Sequence, residues 1–88
     1  MIAAMPTDEQ LAAVLEGIVK GEDAGIPADN ESLAAALGWD LELIAECLRV
    51  AKEHSYIWGF RGSRKPTPWF SDLEATVQGR RYLRTWRD

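Results

Sequence analysis

Leu33-Ala34-Ala35-Ala36-Leu37-Gly38-Trp39-Asp40-Leu41-Glu42-Leu43-Ile44 is the stretch that decides the fold. Leu33, Ala34 and Leu37 form the apolar side of a short helix over about residues 31–37, capped by Asp29 or Asn30. Gly38 suits the left-handed position that ends such a helix. Only Trp39 separates it from Asp40, the expected cap of a further helix reaching about His54. Two helices joined by so tight a turn cannot lie antiparallel, so they cross steeply. On a wheel of the later helix, Leu41, Ile44, Leu48 and Ala51 share a face, with Ala45 and Cys47 at its flanks. The opposite face carries Glu42, Glu46, Arg49, Val50 and Glu53.

Towards the N-terminus, Thr7-x-x-Gln10 has the spacing of a capping box, and Asp8 and Glu9 suit the positive end of a helix dipole. Leu11, Val14, Leu15, Ile18 and Val19 follow as one apolar stripe, with Gly21 as the expected stop. Residues 22–30 read as a connector, with one bridging strand around Ile26. Towards the C-terminus the period changes to two after Ser55. Tyr56, Trp58 and Phe60 fall on one side of a strand, and Ile57 and Gly59 on the other. Residues 61–68 form a basic, breaker-rich hairpin tip. The return strand, residues 69–75, places Trp69, Ser71, Leu73 and Ala75 on one side. Thr76 caps a last helix whose buried edge is Tyr82, Leu83 and Trp86, with Arg80, Arg84 and Arg87 on another face, flanked by Arg81. Trp39 and Trp58 are expected in the core, where a small domain needs large apolar groups. Stacking of Trp58 and Phe60 on unpaired bases is the other use. Trp69 and Trp86 are left between core and a dimer contact.

The chain has 88 residues, 47% hydrophobic and 27% charged, which is one domain over residues 1–88. No apolar run approaches the roughly 20 residues that a bilayer needs, and Met1-Ile2-Ala3-Ala4-Met5 is too short for an export signal. A single cysteine, Cys47, cannot form an internal disulfide, and the expected location is the cytoplasm. Cys47 and His54 sit seven residues apart on one helix, without further ligands for a metal or a third group for a nucleophilic pair. No phosphate-binding glycine loop or nucleophile elbow occurs, so the expectation is a protein without cofactor or enzymatic activity. The net charge of −4 is unevenly spread. Residues 1–46 hold ten acids and one base, net −9, whereas residues 47–88 hold nine bases and four acids, net +5.

Three strings stand in order: Leu33-Ala34-Ala35-Ala36-Leu37-Gly38, Cys47-Leu48-Arg49-Val50-Ala51-Lys52-Glu53-His54-Ser55-Tyr56-Ile57, and Ala75-Thr76-Val77-Gln78-Gly79-Arg80-Arg81-Tyr82-Leu83. Over roughly residues 31–84 the chain resembles the winged helix-turn-helix family of small bacterial and phage regulators. Two departures are Ser55, where the family often has glycine, and the acidic Asp40, Glu42 and Glu46 on the third helix. The resemblance implies an α+β domain with three N-terminal helices, a two-stranded wing and a C-terminal helix. It also implies binding of double-stranded DNA, as a small transcription regulator or a phage-like accessory factor, with the third helix in or over the major groove. Arg61, Arg64 and Lys65 of the wing, with Arg49 and Lys52, are the candidate DNA-binding residues for phosphates. Arg49 has a second use, pairing with Glu46 or Glu53 on its own helix. Arg80, Arg81 and Arg84 have three: a rim for nucleic acid, docking on the acidic first helix, or docking on a second copy. For Arg87 the expectation is packing with dipole complementation. A homodimer is expected because one reading helix covers a small footprint. The alternative function is a protein-interaction module that offers the acidic faces of helices one and three to a basic protein partner.

Overall fold

Thr7 starts the first helix as its spacing predicts. Its hydroxyl accepts from the Gln10 amide at 3.0 Å while the Gln10 side chain accepts from the Thr7 amide at 3.0 Å. The computed structural model describes residues 6–87, without the Arg87 side chain. The Met1–Met5 stretch and the role expected of Arg87 therefore lie outside the described residues. Helix α1 (Asp8–Asp23) is followed by α2 (Asn30–Leu37), α3 (Leu41–Glu53), β1 (Ile57–Gly62), β2 (Trp69–Ala75) and α4 (Val77–Arg87). The described chain is thus a small α+β unit of four helices with an antiparallel hairpin between α3 and α4. Among the described residues no helix is long and apolar enough to cross a membrane.

Gly38 ends α2 at φ 70°, the left-handed conformation expected of it. The core gathers Leu11, Val14, Leu15 and Ile18 of α1, Leu33 of α2, Ile44, Leu48 and Ala51 of α3, and Ile57, Phe70 and Leu73 of the hairpin. Val50, expected on the outer face of α3, is buried. That helix packs against α1, α2 and β1 at once and so buries more than one stripe.

Two features around the end of α1 differ from expectation, each through a backbone contact. Helix α1 runs past Gly21 to Asp23. The returning chain donates from the Ile26 amide to the Gly21 carbonyl at 2.8 Å, and a Cβ at Gly21 would stand 2.7 Å from the Ile26 carbonyl oxygen. Gly21 is needed for that approach rather than for a stop. The bridging residue is Ala28 rather than Ile26, its carbonyl accepting from the Leu73 amide at 3.0 Å. At the other end of α3, Ser55 takes φ 61°, a left-handed conformation that favours glycine.

The hairpin departs further from plain alternation. Ile57 pairs with Ala75 and Trp58 with Glu74, but the register slips before Phe60 meets Ser71, and Asp72 takes φ 53°. Trp69, Phe70 and Leu73 are consequently the buried residues of β2, and Ser71 is exposed. Trp58, expected in the core, is 46% exposed and packs edge-on against the exposed Phe60 at 5.0 Å. The two-stranded sheet covers the helices with one face only, and Ile57 occupies that side.

Asn30 joins the helices to the hairpin. Asp29 is the cap of α2, its carboxylate accepting from the Ser32 amide at 2.7 Å, which leaves the Asn30 side chain for another purpose. Asn30 is completely buried. Its Nδ2 donates to the Pro68 carbonyl at 3.0 Å and its Oδ1 accepts from the Phe70 amide at 2.8 Å. Asn30→Ala strands one buried acceptor and one buried donor, and is expected to cost about 2–4 kcal/mol in urea unfolding. Ser55→Gly relieves the left-handed residue and is expected to stabilise by roughly 0.5–1 kcal/mol in the same measurement.

Candidate nucleic-acid interface

The last turns of α3 and the hairpin enclose a groove of about 290 Å³, lined by Arg49, Lys52, Glu53, Arg61, Thr67, Pro68 and Phe70. Three of the five predicted contact residues, Arg49, Lys52 and Arg61, meet here. Arg64 and Lys65 stand outside it, exposed at the hairpin tip. The meeting follows from the fold: β1 returns beside α3, and the Asn30 bridge sets Pro68 and Phe70 as the far wall.

Arg49 carries the pairing that its helical spacing allows. It donates from Nε and Nη2 to Glu46 at 3.0 and 2.9 Å, and from Nη1 to Glu53 at 2.9 Å. The hydrogen bond from Arg49, aided by its charge and outweighing slight burial, holds the Glu46 carboxyl below the usual carboxylate range. The same bond is the main reason that the guanidinium is held still more firmly protonated than an ordinary arginine.

The two wing arginines lie on aromatic rings. The Arg64 guanidinium sits 4.2 Å from the centre of the Trp69 ring and 3.7 Å from a Glu31 carboxylate oxygen. That of Arg61 is 5.9 Å from the centre of the Phe70 ring. Planar guanidinium groups stack on aromatic faces and keep their edge donors available to an anion. The exposed Arg64–Glu31 pair is a weak competitor in water. Among the described residues Lys52, Arg61 and Lys65 have no ion-pair partner, so the groove and tip retain net positive charge. Trp69 and Phe70 as supports were missed in the sequence. The adjacent aromatic pair straight after Pro68 was the available signal.

The remaining candidates resolve separately. Arg80 reaches Glu22 at 3.4 Å and Asp23 at 3.9 Å, so it docks on the first helix of its own chain. Glu22 also accepts from the Ala75 amide at 2.6 Å. Arg81, Arg84 and Trp86 are exposed; of the expected apolar edge of α4, only Leu83 is buried and Tyr82 half-buried. Helix α4 packs against α1 and β2, and Trp86 borders a groove beside α1 while staying 47% exposed. Cys47 is wholly buried, whereas His54 is exposed and stacked on Tyr56 at 5.2 Å, so the two do not form a pair. Among the described residues no group of three or more His, Cys, Asp or Glu is arranged to hold a metal ion.

The chain matches no protein-family model, no curated protein and no solved structure.

Burial, and secondarily the Glu46 charge, push the Cys47 thiol up to about 11 from the ordinary 9.0. The folded thiol thus holds its proton more tightly than the unfolded one. Its contribution to stability is intact below pH 9.0 and is lost as pH rises towards 11. At mildly alkaline pH a thiol reagent is expected to modify native Cys47 far more slowly than the urea-unfolded chain. Comparable rates in the two states would contradict the burial.

Proposed function

We propose that the chain is a winged-helix protein that binds double-stranded DNA in the cytoplasm, of the small transcriptional-regulator kind. The helix–helix–turn–helix–hairpin–helix order is compatible with that fold. The observation that carries the reading is the groove where Lys52, Arg61 and Arg49 converge between α3 and the hairpin. A duplex lying along the exposed side of α3 would present its phosphates to that groove and to Arg64 and Lys65 at the tip. The carboxylates around Arg49 limit affinity, because a phosphate must compete with Glu46 and Glu53 for the same guanidinium donors.

A second reading rests on a specific feature: Asp40 and Glu42 are exposed at the start of α3, the half that would approach the bases. Together with the acidic face of α1 they suit a basic protein partner, which makes the chain an interaction module.

Fluorescence anisotropy on mixed-sequence duplex DNA between about 50 and 200 mM salt separates the two. The DNA reading expects micromolar or tighter binding that weakens steeply with salt, and absence of binding at the lowest salt favours the protein partner. Arg64→Ala with Lys65→Ala is expected to weaken binding to all sequences and to flatten the log–log salt slope by about 1–2. An unchanged slope removes the wing from the interface. Glu53→Gln, which frees part of Arg49, is expected to raise affinity several-fold and steepen the slope.

A further inference from the structure

On another part of the surface, α1 and α4 bound a groove of about 300 Å³ lined by Glu9, Ala12, Ala13, Glu16, Leu83 and Trp86. It shares no residue with the groove beside the hairpin. The four α1 residues fall at the i, i+3, i+4 and i+7 positions of one helical face. Glu9 and Glu16 therefore stand two turns apart, about 10 Å along the helix, with two alanines between them. Leu83 and Trp86 form the α4 wall, and Trp86 has no ring or cation against it among the described residues. Glu9 is exposed and has no ion-pair partner among the described residues. Glu16 meets the exposed Lys20 at 3.8 Å, a pair weakened by water. Among the described residues, both charged groups lining the groove are thus carboxylates.

We propose that this groove seats an amphipathic, arginine-bearing helix of another protein. The proposal rests on the second functional reading above, an acidic surface for a basic protein, and gives that surface a place on α1. A helix laid in a groove uses the same i, i+3, i+4, i+7 spacing on its own face. Two arginines two turns apart then meet Glu9 and Glu16, while the apolar residues between them lie on Ala12, Ala13 and Leu83. The small alanine side chains let the incoming helix approach closely. A guanidinium suits both features of the site, since its fork matches a carboxylate and its plane stacks on the Trp86 indole. An anionic partner such as DNA is repelled here. This groove and the one beside the hairpin therefore select partners of opposite charge, and occupation of one leaves the other open.

Amide NMR of the isotope-labelled full chain at low salt tests the assignment. The probe is an alanine-based helical peptide with two arginines two turns apart and two leucines between them. Its control has glutamine in place of arginine. The expected result is saturable movement of residues 9–16 and 83–86, and of the Trp86 indole, with the arginine peptide alone. Glu9→Gln is expected to weaken binding several-fold and Trp86→Ala about tenfold. Both positions are exposed, and each variant is expected to keep its far-ultraviolet circular dichroism. Movement confined to the start of α3, around Asp40 and Glu42, keeps a basic partner for the chain but overturns this groove as its seat. No movement anywhere removes both. Equal movement with the glutamine peptide, or binding indifferent to the two substitutions, also overturns the proposal.

Discussion

One buried amide ties the two parts of this fold together. A two-stranded hairpin is marginal on its own and must be moored to something, and Asn30 supplies the mooring by meeting the Pro68 carbonyl and the Phe70 amide. Three further clips work on the same region: Ala28 with Leu73, Glu22 with the Ala75 amide, and Thr76, which donates to the Ser55 carbonyl at 2.6 Å and accepts from the Gly79 amide at 3.0 Å. The first two of these contacts, like the Asn30 bridge, hold β2 to the stretch from the end of α1 to the first residue of α2. The returning strand is therefore the anchored one. Phe70 and Trp69 are buried as a result, and Arg61 and Arg64 rest against them.

The uneven charge of the chain is largely reconciled inside the fold. Arg80 from the basic half pairs with Glu22 and Asp23 from the acidic half, and Arg64 meets Glu31 across the same division. Arg49 is held by Glu46 and Glu53 within one helix. Among the described residues, what remains positive is grouped in two places, Lys52, Arg61 and Lys65 near the hairpin groove and tip, and Arg81 and Arg84 on α4. This sorting gives the two surfaces different characters. The first converges on a groove, whereas the second lines none of the grooves described.

The hairpin is where reading from the sequence was least complete. Alternation correctly separated Trp58 and Phe60 from Ile57, but alternation has no sign, and size alone favoured the aromatic side as the inner one. Covering the helices needed only one face, and Ile57 with Phe70 and Leu73 filled it. The slip before Phe60 and the left-handed Asp72 then moved Phe70 inward, which no period-two pattern foretells. Trp86 was placed on a buried edge by the helical wheel, yet it only borders a groove beside α1 and stays 47% exposed, because a wheel assigns a direction and not the depth of the contact.

Much of the local chemistry was legible, the Gly21 stop being an exception. The Thr7 capping box, the Gly38 stop, the tight α2–α3 turn, the hairpin and the Thr76 cap are each set by residues within a few positions of one another, so the sequence by itself determined the elements and their order. It also supplied the candidate cations, because charge does not depend on folding. Which cations meet, which aromatics support them and which acids neutralise them was decided by contacts between residues as much as 40 or 50 positions apart, as between Asn30 and Phe70 or Glu22 and Ala75. Such pairings depend on how the hairpin settles on the helices, and only the packed tertiary structure specifies that.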